Sequence, residues 1–300
     1  MVARKLKPPY CAPVADPGCG NTKPAPPPKK AVSNRKVYRL LDEQGAVVSH
    51  DDQKRFADFL DRSVRHRKLV QKRWSKNKLK NDDIIRLIQM ARDVGDLDEA
   101  IWRSFLAAHL GRPSANSAIV DQLESASLLL CGFGWEPRWT WSKVSARPKT
   151  FHYWLYDHAA DLESLSFGTH RKYESQQPDL LWEVIESFVD LAKEYGGPGA
   201  LVVVADDDDS FHILYCRLAP LHRFGRTARF DFLVMLRDLN LISAEPKSSY
   251  LRGATGPLSG AKRLWGHRAV GELDELAAEL AERLGVSPIV MEDALCNWQK

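Results

Sequence analysis

SSYLRGATGPLSGAKRLWG, residues 248–266, carries the most mechanistic local signal in the chain. Gly253 and Gly256 bracket a tight turn, and Pro257 suits the first position of a helix, where its missing N–H costs nothing. Gly260 and Ala261 keep that helix thin, so another backbone can approach it. A glycine turn feeding a helix start presents backbone N–H groups and the positive dipole end, which together can hold a phosphate. Lys262 and Arg263 add charge on the same helix. The plainer reading is an ordinary loop–helix junction.

Working outward, the chain reads as a succession of helices. Phe56, Phe59, Leu60 and Val64 lie at helical spacing within 51–80. Two helices fit 81–111, with Asn81 or Asp82 as cap of the first and Gly95 as its stop. Further helices are expected over 117–131, 150–165, 179–195, 221–240 and 272–284. The stretch LVVVA, 201–205, looks like a strand, and the FHILYC that follows the aspartates is ambiguous. The fold class expected is therefore mainly α, with at most a small sheet. GFGWEPRWTWSK, 132–143, holds three tryptophans in seven residues; they could line a base pocket or simply pack.

Composition narrows the setting. The 300 residues are 44% hydrophobic and 27% charged, as in a globular protein. No run of eighteen apolar residues predicts a membrane helix, and the basic start is followed by no apolar segment of a signal peptide. Five scattered cysteines fit a reducing cytoplasm better than a disulfide framework. Residues 1–80 contain twenty Lys/Arg and seven Asp/Glu, hence +13, which leaves −9 on the rest of a chain of net charge +4. A basic head points to a polyanion such as nucleic acid, against the alternative of a solubilising tail and a solvated helix face. Three segments are expected: a disordered Pro/Lys-rich tail over 1–36, a basic helical region over 37–97 and a helical catalytic domain over 98–300. Within the basic region, RSVRHRKLVQKRWSKNKLK (62–80) has nine Lys/Arg, among them Arg67, Lys72 and Arg73, suited to phosphate contacts.

Three further constellations could carry chemistry. SFGTHRKYES (166–175) gathers His170, Arg171, Lys172, Tyr173 and Glu174, a set suited to a phosphodiester and an aromatic base, or to a solvated helix start. In HRFGRTARFDFLVML (222–236), Arg226 and Arg229 share a helix face, and Asp231 sits between two phenylalanines. A carboxylate in an apolar pocket would have a raised pKa and could do acid/base work, whereas an ion pair with either arginine would be structural. In MEDALCNWQK (291–300), Asp293, Cys296, Asn297 and Lys300 stack on one side of a helix. Its apolar residues predict that this terminus docks on the body. No P-loop, dinucleotide fingerprint or metal quartet occurs, so neither a cofactor nor a metal is expected.

The motif at 248–266 resembles the helix-hairpin-helix element of DNA repair proteins through Leu251, Gly253, Gly256 and Ala261, with Thr255 as one extra residue between the glycines. More broadly, FLAAHLGRP, FGTHRKYES, FGRTARFDFL, YLRGATGPLSGAKRL and MEDALCNWQK occur in that order over roughly 98–300. Together they resemble the alpha-glutamyl/putrescinyl thymine pyrophosphorylase family, also grouped with amino acid:DNA transferases. The resemblance implies a helical fold akin to helix-hairpin-helix DNA glycosylases and a modified-base DNA substrate. It implies two activities: excision of a bulky modified pyrimidine in phage defence, or exchange of an activated substituent on a pyrimidine for an amine.

From this sequence the expected reaction is excision, by a DNA glycosylase that flips out a bulky modified base such as glucosylated hydroxymethylcytosine. Asp293 or Asp231 would be the catalytic carboxylate. His170, Arg171, Lys172, Tyr173, Glu174 and Asn297 would meet the flipped nucleotide. Arg226, Arg229, Gly253, Gly256, Gly260, Lys262, Arg263, Arg67, Lys72 and Arg73 would hold the DNA. The alternatives are an amino acid or polyamine:DNA transferase and a non-catalytic DNA binder. Modified phage DNA is the expected partner, without a membrane or an obligate protein partner.

Overall fold

The computed structural model describes residues 33–74, 83–110, 119–134, 136–165, 167, 176–205 and 209–300, of which 73 and 119–124 by their backbone alone. Among the described residues there are fifteen helices and no strand. In chain order they are α1 (Asn34–Glu43), α2 (His50–Trp74), α3 (Ile84–Asp93), α4 (Leu97–Leu110), α5 (Ile119–Leu130), α6 (Trp141–Ala146), α7 (Pro148–Asp157) and α8 (Ala159–Glu163). There follow α9 (Pro178–Glu194), α10 (Pro198–Leu201), α11 (Ser210–Arg217), α12 (Arg226–Asp238), α13 (Gly256–Trp265), α14 (Val270–Leu284) and α15 (Pro288–Trp298). None of them is long and apolar enough to cross a membrane.

Local chemistry sets most of the boundaries. Proline opens α7, α9, α10, α13 and α15, each time where the helix needs no donor. Asp83 caps α3 by accepting from the Ile85 N–H at 2.9 Å, the task expected of Asn81 or Asp82, which lie outside the described residues. Gly95 beyond α3 and Gly285 beyond α14 take positive φ, +83° and +70°, the left-handed conformation that ends helices. The expected helix over 150–165 is two helices that meet at His158. The helix expected from 221 starts only at Arg226, because Arg223 turns the chain with φ +49°.

The strand expected at LVVVA does not form. Pro198 starts the short α10, which runs to Leu201, and the Arg217 guanidinium then takes the carbonyls of Leu201 and Val203 at 2.7 and 2.9 Å. Two acceptors that a sheet ladder would need are thereby used by a side chain. FHILYC resolves as helix, within α11.

Two compact units emerge among the described residues, one within 83–205 and 212–243, the other within 33–74, 209–211 and 244–300. The first is built round α4, which is buried on every side from Glu99 to Leu110, as a central helix must be. Phe105 stacks on Phe188 with ring centroids 4.0 Å apart, and Trp102 donates to the Trp139 carbonyl at 2.8 Å. Trp139 and Trp141 are buried, so these two of the loop tryptophans pack rather than line an open pocket. Trp135 lies outside the described residues.

The second unit gathers the sequence-distant helices α1, α2, α13, α14 and α15. Leu40 and Leu41, Phe56 and Leu60, Leu264 and Trp265, Leu273 and Leu280, Met291 and Trp298 form one core. Each fully buried side chain of this kind contributes about 1.5–3 kcal/mol.

Candidate active site and nucleic-acid interface

In the second unit the polar stripe of α15 has a definite geometry. Ser287 caps the helix by accepting from the Val290 N–H, and Met291, Ala294, Leu295 and Trp298 anchor the apolar face. Trp298 meets Phe56 edge-on at 5.6 Å. The docking expected of the terminus therefore occurs, and it leaves Asp293, Asn297 and Lys300 on the half-open side. The Asn297 amide donates to the Asp293 carboxylate at 2.9 Å, and the Lys300 ammonium donates to the Asn297 carbonyl oxygen at 3.3 Å. The result is a carboxylate on α15 and an ammonium just past its end, joined through one amide.

The glycine turn packs directly against this helix. Asp274 ties it down, accepting from the Ser248 hydroxyl at 2.9 Å and from the Leu251 N–H at 3.3 Å. Tyr250 is held at φ +52° and Gly253 at φ +77°, and the former is a costly conformation for an aromatic residue. A Cβ on Gly260 would lie 2.2 Å from the Leu295 carbonyl oxygen, and one on Gly256 would lie 2.7 Å from Cys296 Sγ. The thin helix read from the sequence thus accommodates α15, and packing accounts for both glycines. Arg263 is engaged as well: its guanidinium meets Asp52 at 2.8 Å and lies 4.6 Å above the Trp298 ring. Lys262 is half-exposed.

The third component is α2. Asp51 and Asp52 stand in its first turn and the basic run fills its second half, the order the helix dipole favours. Arg62, Arg65, His66, Lys68 and Lys72 are exposed, whereas Arg67 is half-buried. Arg65 pairs with Asp61 at 2.7 Å, and Arg62 lies over the Phe59 ring at 5.0 Å. The side chain of Arg73 is outside the described residues.

The residues expected from the first unit behave differently. Arg226 is buried, with its guanidinium carbon 4.7 Å over Phe230. Arg229 lies 4.2 Å over Tyr215 and donates to that residue's carbonyl at 3.3 Å. The open arginine clamp expected from their spacing is replaced by guanidinium–aromatic packing, because the apolar face of α12 continues round to Arg226. Asp231, between Phe230 and Phe232 in the chain, is half-buried. His170, Arg171, Lys172, Tyr173 and Glu174 lie outside the described residues.

Two constellations escaped the sequence reading. Glu99 and Arg103 form a buried ion pair at 2.7 Å within α4, and the second Glu99 oxygen accepts from the Trp141 N–H at 2.6 Å. An acid and a base four residues apart in an apolar helix were its signal. On α7 and α9, Asp179 accepts from the Tyr156 hydroxyl and faces the His152 ring at 3.2 Å. The hydrogen bond from Tyr156 holds the Asp179 carboxyl below its ordinary pKa, and the same bond pushes the Tyr156 phenol up. The signal here was FHYWLYDH (151–158), six ring-bearing residues in eight.

A groove of about 500 Å³ runs along α14, walled by Pro246, Ala278, Val286 and Pro288 and edged by Lys247, Glu275, Glu279 and Glu282. Among the described residues no three His, Cys, Asp or Glu side chains gather as a metal site would require.

The model of the family described as alpha-glutamyl/putrescinyl thymine pyrophosphorylase clade 3 matches residues 46–300. The chain belongs to this family. No curated protein and no solved structure matches it. Membership in the alpha-glutamyl/putrescinyl thymine pyrophosphorylase family overturns the base excision expected from the sequence: the description is of a pyrophosphorylase, an enzyme, and fits the amine-transfer alternative better. The match also begins at residue 46, so it takes in α2 and the basic helix that the blocks at 98–300 had left out.

Proposed function

We propose that the protein is an amine:DNA transferase, joining an amino acid or polyamine to a pyrimidine in DNA whose 5-hydroxymethyl group is pyrophosphorylated. The family match over 46–300 carries this reading. In the reaction the amine nitrogen attacks the exocyclic methylene carbon. A C–N bond forms, the C–O bond breaks, and pyrophosphate leaves with the bonding pair.

The attacking amine must lose a proton, and Asp293 is the carboxylate placed to take it. Asn297 holds one of its oxygens at 2.9 Å and so orients the other. Lys300, reached through Asn297, is the cation to meet the departing pyrophosphate. A general base contributes about 10²–10⁴-fold in rate. The exposed cations of α2 supply affinity for the DNA backbone through counterion release. The groove along α14, where three glutamates outnumber Lys247, offers a cationic amine a surface of net opposite charge within the same unit.

The test uses the full chain, DNA carrying pyrophosphorylated 5-hydroxymethyl pyrimidine, and putrescine or glutamate in separate reactions. The expected products are an intact strand, a nucleoside heavier by the amine, and one pyrophosphate per transfer, read by mass spectrometry and phosphate assay. Asp293→Asn should lose most of the rate, whereas Asp231→Asn should keep it. Pyrophosphate release that ignores the amine, or strands that become alkali-labile with loss of free base, would refute the reading.

A further inference from the structure

FHYWLYDH, residues 151–158, puts more rings on one helix than the core can absorb. Phe151, Trp154 and Leu155 turn inward and are buried. Tyr153 and Tyr156 remain outside, 67% and 48% exposed. They stand three residues apart and so share one face of α7. We propose that this face is a stacking platform for unpaired bases, holding a single-stranded stretch of DNA. The inference rests on DNA being the substrate, and it adds a contact surface that the transfer chemistry does not require.

Three observations support it. First, the rings are pre-oriented. Tyr156 donates to Asp179, which also faces His152, and His152 lies nearly parallel over Trp182, 5.0 Å away at 16°. The His152 ring in turn is 5.3 Å from Tyr156 and 6.5 Å, at 13°, from Tyr153. A platform held in place before binding loses little rotamer entropy when a base arrives. Secondly, every base has a π-face, so an aromatic surface accepts bases without regard to sequence. Thirdly, Lys143, Arg147 and Lys149 are exposed on α6 and at the start of α7. Lys149, four residues before Tyr153, is on the same face as the tyrosines, and phosphates flanking a stacked base would meet it. Acidic groups stand at the Tyr156 end of this face: Asp179 accepts from the Tyr156 hydroxyl, and Asp157, Asp161 and Glu163 are exposed on α7 and α8, so the cationic end is the one beside Tyr153.

The experiment compares the full-length protein with Tyr153→Ala/Tyr156→Ala, Tyr156→Phe and Lys149→Glu. The probes are fluorescein-labelled oligo-dT and a duplex of the same length, read by anisotropy at one fixed salt concentration. The double variant should bind oligo-dT about tenfold more weakly per ring removed, with duplex affinity, carried by α2, unchanged. Tyr156→Phe keeps the ring but loses the bond to Asp179, so it should weaken oligo-dT binding less than the double variant does, and Lys149→Glu should weaken oligo-dT alone. Equal oligo-dT binding by wild type and double variant would overturn the platform, as would equal weakening on duplex. A wild-type protein that binds duplex but not oligo-dT overturns the platform and leaves the proposed function standing. Failure to bind either DNA refutes the function itself.

Discussion

Gly260 tests the packing of the second unit with one methyl group. In Gly260→Ala the new carbon would stand 2.2 Å from the Leu295 carbonyl oxygen and 2.8 Å from its carbonyl carbon. Carbon and oxygen approach comfortably only to about 3.3 Å, so α13 and α15 would have to part by about 1 Å. The obstacle is backbone within a helix whose Leu295 and Trp298 side chains are fully buried, and no rotamer change can relieve it. Overpacking of this kind costs about 1–3 kcal/mol, and a backbone obstacle belongs at the upper end. Alanine recovers about 1 kcal/mol through its better helix propensity, which leaves a net destabilisation of about 2 kcal/mol. For units of this size the melting temperature should fall by about 5–15 °C. Gly271 is the control, since a Cβ there meets nothing within 4 Å; Gly271→Ala should stabilise by about 0.4–1 kcal/mol. Thermal and urea denaturation, followed by circular dichroism, give both values. If Gly260→Ala is as stable as wild type, α13 and α15 do not pack as described.

The Glu99→Gln variant leaves the Arg103 charge buried without its counter-ion and should be destabilised by about 3–5 kcal/mol, read from urea midpoints. In Asp179→Asn the Tyr156 phenol should titrate lower than in the wild type, back toward its ordinary value near 10, as followed by ultraviolet absorbance. The sign of the pH dependence follows from both shifts. The Tyr156 pKa is raised, so its contribution is complete below its ordinary value and lost as pH climbs through the raised one. The Asp179 pKa is lowered, so its contribution is present above the ordinary carboxylate value and lost as pH falls through the lowered one. Reversing Arg65, Lys68 and Lys72 of α2 to glutamate should weaken DNA binding uniformly across sequences. It should also reduce the slope of log K against log salt by about one for each phosphate no longer neutralised, measured on duplexes of two unrelated sequences.

Which parts of the molecule were legible in sequence follows the range of the interactions concerned. The helix content, Pro257 opening α13, Gly285 closing α14 and the apolar stripe of α15 were all readable, because a cap or a face involves only a few neighbouring residues. The family was readable from five blocks in order, since their spacing reports a shared ancestor rather than a tertiary interaction. The basic half of α2 was readable as charge, because exposed lysines and arginines need no partner to declare themselves.

Other features depended on who meets whom across the fold. Arg263 has an internal partner in Asp52, more than two hundred residues away, that its chain neighbours do not reveal. Arg226 and Arg229 look like a clamp until Phe230 and Tyr215 take their faces. LVVVA has strand propensity, yet Arg217 occupies two of its carbonyls, and among the described residues there is no strand to pair with it. Composition and periodicity record what each residue can do. Only the tertiary structure decides what it does, because a charge, a ring or a carbonyl engages whichever partner the folded chain brings within about 4 Å.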